Sequence, residues 1–189
     1  NQKGAVGAVF RLIPEKIRTL DELGLPAVLA EMADRPRGLV LVTGPRASGK
    51  STLIAAFVDL INRTRSDHVI TLESQIKFVH ESRSSLVSQR EVRGDIDELV
   101  AVSRAALREN PDVLVIEDLR APELVPVALE AAESGHLVIG SISAHTTTAG
   151  IDRIIDQTPP ERRSKVQHSL AQLYVSADRL SPTKSAPRM

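Results

Sequence analysis

The feature that most constrains this fold is a glycine-rich loop between an apolar run and a helical pattern. Residues 44–51 match G-x-x-x-x-G-K-[ST], and residues 39–42 before them are apolar. After the loop, apolar residues recur at helical spacing: Leu53, Ala56, Phe57, Leu60 and Ile61. A strand, a glycine-rich turn and a helix N-terminus together surround a phosphate with backbone N–H groups and partial positive charge. The sequence therefore predicts a nucleotide phosphate site rather than an ordinary glycine-rich turn.

Two side chains of this loop have specific expected roles. Lys50 is expected to reach the terminal phosphates of the nucleotide, and Ser51 is expected to be a ligand of Mg²⁺. The predicted nucleotide contacts are Gly44, Pro45, Arg46, Ala47, Ser48, Gly49, Lys50, Ser51 and Thr52.

Four short apolar runs predict the strands of a sheet, at residues 39–42, 69–72, 113–116 and 137–142. Continuous apolar strands are typical of a parallel sheet that is covered on both faces. Helical segments separate the runs, as βαβ units require. We therefore expect an α/β fold with a mainly parallel sheet flanked by helices.

Capping patterns predict where two of the helices begin. Residues 19–22 have the spacing of a capping box and predict a short helix, which Gly24 and Pro26 end before a second short helix to about residue 34. Asp95 is expected to cap a longer helix, which ends before Pro111.

The predicted strand at 113–116 is followed by two carboxylates, Glu117 and Asp118. In P-loop proteins such a strand is expected beside the P-loop strand, and its terminal acid helps to hold Mg²⁺ and its water. Neighbouring side chains on a strand point to opposite sides, so one of the two should face the nucleotide. We assign Ser51 and Asp118 as the predicted Mg²⁺ contacts. The alternative is a strand that simply ends in polar residues.

Composition narrows the class of function. Lys plus Arg number 24 and Asp plus Glu number 24, so the balance gives no support for a dedicated nucleic-acid binder. Aromatic residues make up only 2%, which disfavours a stacking platform for single strands. The absence of Cys excludes disulfides and fits a reducing compartment. No apolar run approaches ~18 residues, and Arg11 and Glu15 interrupt the N-terminal apolar stretch, so neither a membrane span nor a signal peptide is predicted.

Many segments, in order along the chain, resemble the secretion-superfamily hexameric ATPases, and within them the PilT-like type IV pilus retraction ATPases of twitching motility. They are residues 7–11, 38–45, 62–66, 78–81, 89–92, 104–109, 135–138 and 151–156. The resemblance implies a RecA-like P-loop core that binds ATP with Mg²⁺ and acts as a homo-hexamer. It also implies a cytoplasmic protein, peripheral at the inner face of the inner membrane, whose hydrolysis of ATP drives pilus retraction with proteins of the pilus base.

The resemblance also divides the chain into parts. Residues 1–13 are expected to be the last strand and linker of a smaller N-terminal domain. Residues 14–180 are expected to form the ATPase core, with its helical C-terminal region truncated. Residues 181–189 are expected to be a disordered tail.

Some residues depart from the pattern that the resemblance implies. Lys77 stands at the position of the family's catalytic Glu, and an ammonium group neither accepts a proton nor coordinates Mg²⁺. Ser143 stands at the position of a second His, and Asp118 is interpreted as a shorter form of a strand-end Glu. Arg46 and Ala47 replace Thr-Gly, and Ala47 would be strained if its position needs a positive φ.

The departures leave the catalytic residues open. Lys77 could point to solvent while Glu73 or Glu117 takes over as the base. His136 is a candidate sensor of nucleotide state, and an arginine could reach the phosphates of a neighbouring subunit. The full set of predicted catalytic residues is Glu73, Glu117, Asp118, His136, Arg108 and Arg120.

Two functions remain open from the sequence. The first is a motor ATPase that couples hydrolysis in a hexameric ring to pilus retraction. The second is a degenerate paralogue with weak or no hydrolysis, which holds nucleotide and regulates or co-assembles with an active pilus ATPase. A small-molecule kinase is disfavoured because the chain has no clear lid or acceptor-site signature.

Overall fold

The structure is a computed structural model that describes residue 13 and residues 16–119 and 121–177. Outside the described residues lie Arg120, the tail at 181–189 and, except for Ile13, the strand predicted within residues 1–13. The elements are, in chain order, α1 (Val28–Ala33), β1 (Gly38–Gly44), α2 (Lys50–Thr64), β2 (His68–Glu73), β3 (Leu86–Glu91), α3 (Ile96–Leu107), β4 (Val113–Ile116), α4 (Leu124–Glu133), β5 (Leu137–Ser143), α5 (Thr147–Gln157), α6 (Pro160–Leu173) and β6 (Tyr174–Ala177).

The strands form one parallel sheet in the order β3-β2-β4-β5-β1-β6. The four predicted apolar runs are β1, β2, β4 and β5, so the expected α/β fold is confirmed. Because neighbouring strands run in the same direction, their carboxyl ends all lie at one edge of the sheet. We call this the carboxyl edge, and the opposite one the amino edge.

The position predicted for β4 is wrong. Instead of lying beside β1, it pairs with β2 and β5, and β5 lies between β4 and β1. In β5, six of the seven residues are buried, and the strand pairs with a neighbour on each side. Strand order depends on these long-range pairings, which the apolar pattern of any one strand does not encode.

Helices cover both faces of the sheet, and the alternation of side chains along each strand divides the core. In β1, Leu39 and Leu41 pack in one cluster with residues of α3 and α4, whereas Val40 and Val42 pack in a second cluster with α1 and α2. Phe57 of α2 lies in the second cluster and is fully buried. Each such buried side chain stabilises the fold by about 1.5–3 kcal/mol. Burial on both faces explains why the strands read as continuous apolar runs.

The predicted capping patterns are present, with one difference. Thr19 and Glu22 form the reciprocal pair of a capping box, at 3.1 Å and 3.0 Å. However, residues 20–24 form a turn and not the predicted helix. Gly24 and Pro26 follow within one turn, too soon for the helix to recover the cost of its nucleation. Asp95 caps α3 as predicted, since its carboxylate accepts a 3.0 Å hydrogen bond from the backbone N–H of Glu98.

Two side-chain amides hold the segment between β2 and β3, residues 74–85, in place. Asn62 of α2 is only 1% exposed; it donates to the carbonyl of Glu81 (2.7 Å) and accepts from the N–H of Arg83 (2.9 Å). Gln89 of β3 donates to the carbonyl of Phe78 (2.8 Å) and accepts from the N–H of His80 (2.7 Å). A segment without regular structure therefore follows a defined path, because side chains satisfy its backbone groups.

We expect His80, in this segment, to weaken the fold in acid. Burial lowers the pKa of His80 to about 4, with Asp59 opposing the shift and Arg83 adding to it. Within the described part of the chain, Nδ1 of His80 has no hydrogen-bond partner. Because an unfolded histidine titrates near 6.5, the neutral side chain stabilises the fold fully above about pH 6.5, and this contribution is lost as the pH falls towards 4.

His80→Gln should remove this dependence on pH. Between pH 7 and pH 4.5, the free energy of unfolding of the variant should fall by up to about 3 kcal/mol less than that of the unmodified protein. Urea unfolding at both pH values measures the difference. His145→Gln, at an exposed position, is the matched control. An equal loss in acid for His80→Gln and the unmodified protein would contradict the prediction.

Candidate nucleotide-binding site

The predicted phosphate loop lies at the carboxyl edge, between the end of β1 and the start of α2. Gly49 is the N-cap residue of α2 and has φ 96°, a left-handed conformation that glycine adopts without steric cost. Its carbonyl accepts the first helical hydrogen bond, from the N–H of Leu53 at 2.9 Å. The first turn of α2 thus directs free N–H groups and the positive end of its dipole at the loop, as an anion site requires.

Lys50 folds back over this loop. Its Nζ donates to the carbonyls of Gly44 and Pro45, both at 2.8 Å. Burial lowers the pKa of Lys50, and the negative charge of Asp118 partly opposes this shift. The ammonium group therefore lies at the loop itself, where it can exchange carbonyl partners for phosphate oxygens.

Ala47 confirms the strain that its position in the loop implied. It has φ 61°, one of two positive values among the described non-glycine residues. A residue with a Cβ in this region costs roughly 1–2 kcal/mol. The loop keeps the path of a glycine-rich turn although one of its residues is alanine.

Glu117 is the strand-end carboxylate that contacts the phosphate loop. Its side chain is 11% exposed and accepts a 3.2 Å hydrogen bond from Oγ of Ser51. The backbone N–H and the hydroxyl of Ser74 also donate to it, both at 3.3 Å. Of the two adjacent carboxylates, Glu117 is the one bonded to Ser51, whereas the negative charge of Asp118 acts on Lys50. The role of Asp118 as a Mg²⁺ contact stays a prediction.

Lys77 points into the site, so the structure does not support the alternative in which this side chain faces solvent. Its ammonium group forms an ion pair with Oε1 of Glu117 and donates to Oγ of Ser51 at 3.2 Å. The side chain is 29% exposed. Lys77, Ser51 and Glu117, which we call the lysine triad, thus come together from three elements of the chain.

Glu73 lies near the lysine triad at the end of β2. Its carboxylate accepts from the hydroxyl of Thr71 (2.8 Å) and from Nε2 of Gln89 (3.1 Å). Burial raises the pKa of Glu73, and the charge of Glu117 also raises it, while the two hydrogen bonds oppose the shift. A carboxyl with a raised pKa is a better proton acceptor than an ordinary one. The role of Glu73 as a base stays a prediction.

His136 lies at the amino edge, so the structure does not bring it to the phosphate loop. It directly precedes β5, its ring Nδ1 is 2.6 Å from the carbonyl of Pro111, and its own carbonyl accepts from the N–H of Gly38. The seven residues of β5 separate it from the carboxyl edge by about 20 Å. His136 therefore does not contact the phosphate loop of its own subunit, and its role as a sensor that links nucleotide state to the neighbouring subunit stays a prediction. Because His136 comes before a strand and not after one, the sequence itself places it at the amino edge of a parallel sheet.

Of the two predicted arginines, Arg120 lies outside the described residues, and Arg108 is not brought to the loop. Arg108 is the C-cap residue of α3, is exposed, and lies on the chain just before β4, towards the amino edge. A role of Arg108 towards a neighbouring subunit stays a prediction. Ser143, by contrast, ends β5 directly beside Gly44 of β1, so this departure lies next to the phosphate loop.

Sequence reasoning missed Ser74 as a contact of Glu117. Ser74 follows β2 as Glu117 follows β4, and these strands are neighbours, with Leu72 opposite Ile116. Polar residues that follow neighbouring parallel strands meet at one edge of the sheet. This pattern could have predicted the contact between Ser74 and Glu117 from the sequence.

The described ranges contain neither a metal-binding cluster of three or more His, Cys, Asp or Glu residues nor a helix long and apolar enough to cross a membrane.

Comparisons with known proteins show which proteins this chain resembles. The family model of type II/IV secretion system proteins matches residues 7–183. The type IV pilus retraction ATPase PilT of Pseudomonas aeruginosa is 48% identical over 174 residues, which cover 91% of this chain and 50% of that protein. The twitching motility protein of Neisseria gonorrhoeae is 44% identical over 167 residues, 87% of this chain and 44% of that protein.

A solved structure extends the similarity to the fold. The crystal structure of the pilus retraction motor PilT with bound ADP superposes with a TM-score of 0.82 at 40% identity, covering 90% of this chain and 53% of that one. The chain therefore spans about half the length of the relatives that it matches. These similarities confirm the resemblance to pilus retraction ATPases and the P-loop core.

We expect Ala47→Gly to stabilise the fold. The change removes the strain at φ 61° and adds the backbone entropy that glycine loses on folding, for a net gain of about 0.5–1 kcal/mol in the free energy of unfolding. Urea unfolding measures it. Ala101→Gly, at an exposed position inside α3, is the matched control and should lose about 0.5–1 kcal/mol. A loss of similar size for Ala47→Gly would contradict the prediction.

Proposed function

Since the chain belongs to the family of type II/IV secretion system proteins, we propose that it is the nucleotide-binding core of a type IV pilus motor ATPase. The observation that carries the proposal is the loop between β1 and α2, with Lys50 and Ser51 at the helix N-terminus and Glu117 bonded to Ser51. The relatives named as pilus retraction and twitching motility proteins support the assignment to retraction.

Each residue of the site has a proposed part in binding ATP. The N–H groups at the start of α2 bind the phosphates, and Lys50 leaves its loop carbonyls to contact the terminal phosphates. Arg46 is exposed on the loop and adds a second cation for the phosphates. Glu73 and Glu117 are the carboxylates proposed to orient the attacking water.

Mg²⁺ does not fit the contacts that the structure shows. Ser51 and Glu117 supply oxygen ligands of the kind that Mg²⁺ uses. However, the ammonium group of Lys77 already contacts both of these side chains. A divalent cation that shares the same oxygens would lie against a positive charge that carries no lone pair to coordinate it. The ammonium group of Lys77 therefore occupies the two side chains, Ser51 and Glu117, that would otherwise contact Mg²⁺.

The wider role follows from the resemblance and is also proposed. The protein would act as a homo-hexamer, or with a related pilus ATPase, at the cytoplasmic face of the inner membrane, where hydrolysis drives retraction through proteins of the pilus base. The names of the relatives, a pilus retraction ATPase and a twitching motility protein, support the retraction and twitching parts of this proposal.

One observation favours a second candidate, a paralogue that holds nucleotide and hydrolyses it weakly. The ion pair of Lys77 with Glu117 engages a carboxylate that an efficient ATPase would need free. The names of the relatives favour the motor over this candidate.

The proposal predicts that Lys50→Ala weakens ATP binding by at least about tenfold, because it removes a charge-assisted contact to the phosphates. Calorimetry measures binding, and release of inorganic phosphate measures turnover, at a protein concentration where light scattering shows assembly. Lys16→Ala, at an exposed lysine paired with Glu22, is the matched control and should change neither.

The outcomes separate the two candidates. Turnover that Lys50→Ala abolishes supports the motor, and binding without turnover supports the paralogue. ATP affinity that is equal in Lys50→Ala and in the unmodified protein would reject the proposed site itself.

A further inference from the structure

The lysine triad places a fixed positive charge between two side chains that a P-loop protein offers to a divalent cation. The ammonium group of Lys77 donates to Oγ of Ser51 and pairs with the carboxylate of Glu117. An ammonium group and Mg²⁺ both seek oxygen ligands, so the two compete for this position.

The backbone on both sides of Lys77 is held by further hydrogen bonds. Asn62 and Gln89 bind the backbone of residues 78–83, directly after Lys77. Before it, the N–H and hydroxyl of Ser74 donate to Glu117. The segment is therefore anchored on both sides of residue 77, which directs the lysine into the site.

Burial makes the interaction with Glu117 stronger than an ordinary surface ion pair. The side chain of Glu117 is 11% exposed and that of Lys77 is 29% exposed, so water screens their attraction less than at the surface. Displacing the ammonium group would leave Glu117 in a poorly hydrated position until another cation replaced it.

We propose that Lys77 takes the place of the divalent cation in the nucleotide site, so that this protein binds nucleotide with little dependence on Mg²⁺. The ammonium group neutralises Glu117 and adds positive charge beside Ser51, the first-turn residue next to Lys50. The inference rests on the proposed nucleotide site, and it adds that an internal cation, rather than a metal ion, balances the charge there.

The test compares the affinity for ADP in buffer with Mg²⁺ and in buffer with EDTA. ADP is used because it binds without turnover, and calorimetry gives the dissociation constant. We expect the affinity of the unmodified protein to change by less than about threefold between the two buffers. Lys77→Met keeps the apolar stem and loses the charge, so Mg²⁺ should bind in its place. In this variant EDTA should weaken the binding of ADP by more than about tenfold, which corresponds to the loss of one charged contact.

Lys77→Glu gives an independent variant in case Lys77→Met folds poorly. It adds a carboxylate beside Ser51 and Glu117, and EDTA should weaken its binding of ADP by more than about tenfold as well. Lys16→Met is the matched control, because Lys16 is an exposed lysine in another ion pair, and it should behave as the unmodified protein does. Thermal unfolding of each variant verifies that it is folded.

A second readout measures the metal directly. Titration of ADP-loaded protein with Mn²⁺, followed by the electron paramagnetic resonance signal of free Mn²⁺, reports metal uptake. Lys77→Met and Lys77→Glu should take up Mn²⁺ at least about tenfold more tightly than the unmodified protein.

The inference is overturned if EDTA weakens ADP binding of the unmodified protein as much as that of Lys77→Met. In that case binding that is lost in Lys50→Ala would still support the proposed nucleotide site. An unmodified, folded protein that binds no ADP in either buffer would overturn the nucleotide site and the inference together.

Discussion

The parallel direction of the strands is the constraint on which the rest of this structure depends. Because the strands end at one edge of the sheet, groups far apart in the chain meet there: the phosphate loop after β1, Ser74 after β2, Glu117 after β4 and Ser143 at the end of β5. Helices on both faces keep these strand ends in position through an apolar core. The site is thus a product of topology first and of individual side chains second.

Polar contacts then decide what the edge can bind. The irregular segment after β2 would have many conformations if its backbone groups faced water alone, but Asn62 and Gln89 satisfy several of them. Lys77 reaches Glu117 and Ser51 from this fixed path. A lysine at position 77, where the family has a glutamate, therefore changes the electrostatics of the nucleotide site. The backbone of the site keeps the geometry of a P-loop.

Local patterns predicted the parts of the fold that depend on local interactions. Apolar runs located four strands, and the cap at Asp95 located α3, because burial and capping act over a few residues. The polar edge strand β3 was not predicted, and β4 was predicted beside β1, because pairing depends on distant partners. The direction of the Lys77 side chain depends on the backbone contacts of Asn62 and Gln89, and no sequence motif relates these two residues to Lys77. The position of His136 at the amino edge was also missed, because the resemblance of its segment to the family does not show at which end of a strand it lies.

The anchoring of residues 74–85 has a consequence for how this protein can change over generations. Asn62 and Gln89 bind the main chain of residues 78–83, and their hydrogen bonds do not depend on the side chain at position 77. Codons for lysine and glutamate differ at one base, so a point mutation is enough to reverse the charge beside Glu117. A single base change therefore converts the lysine version of the site into the glutamate version, and a second one reverses it.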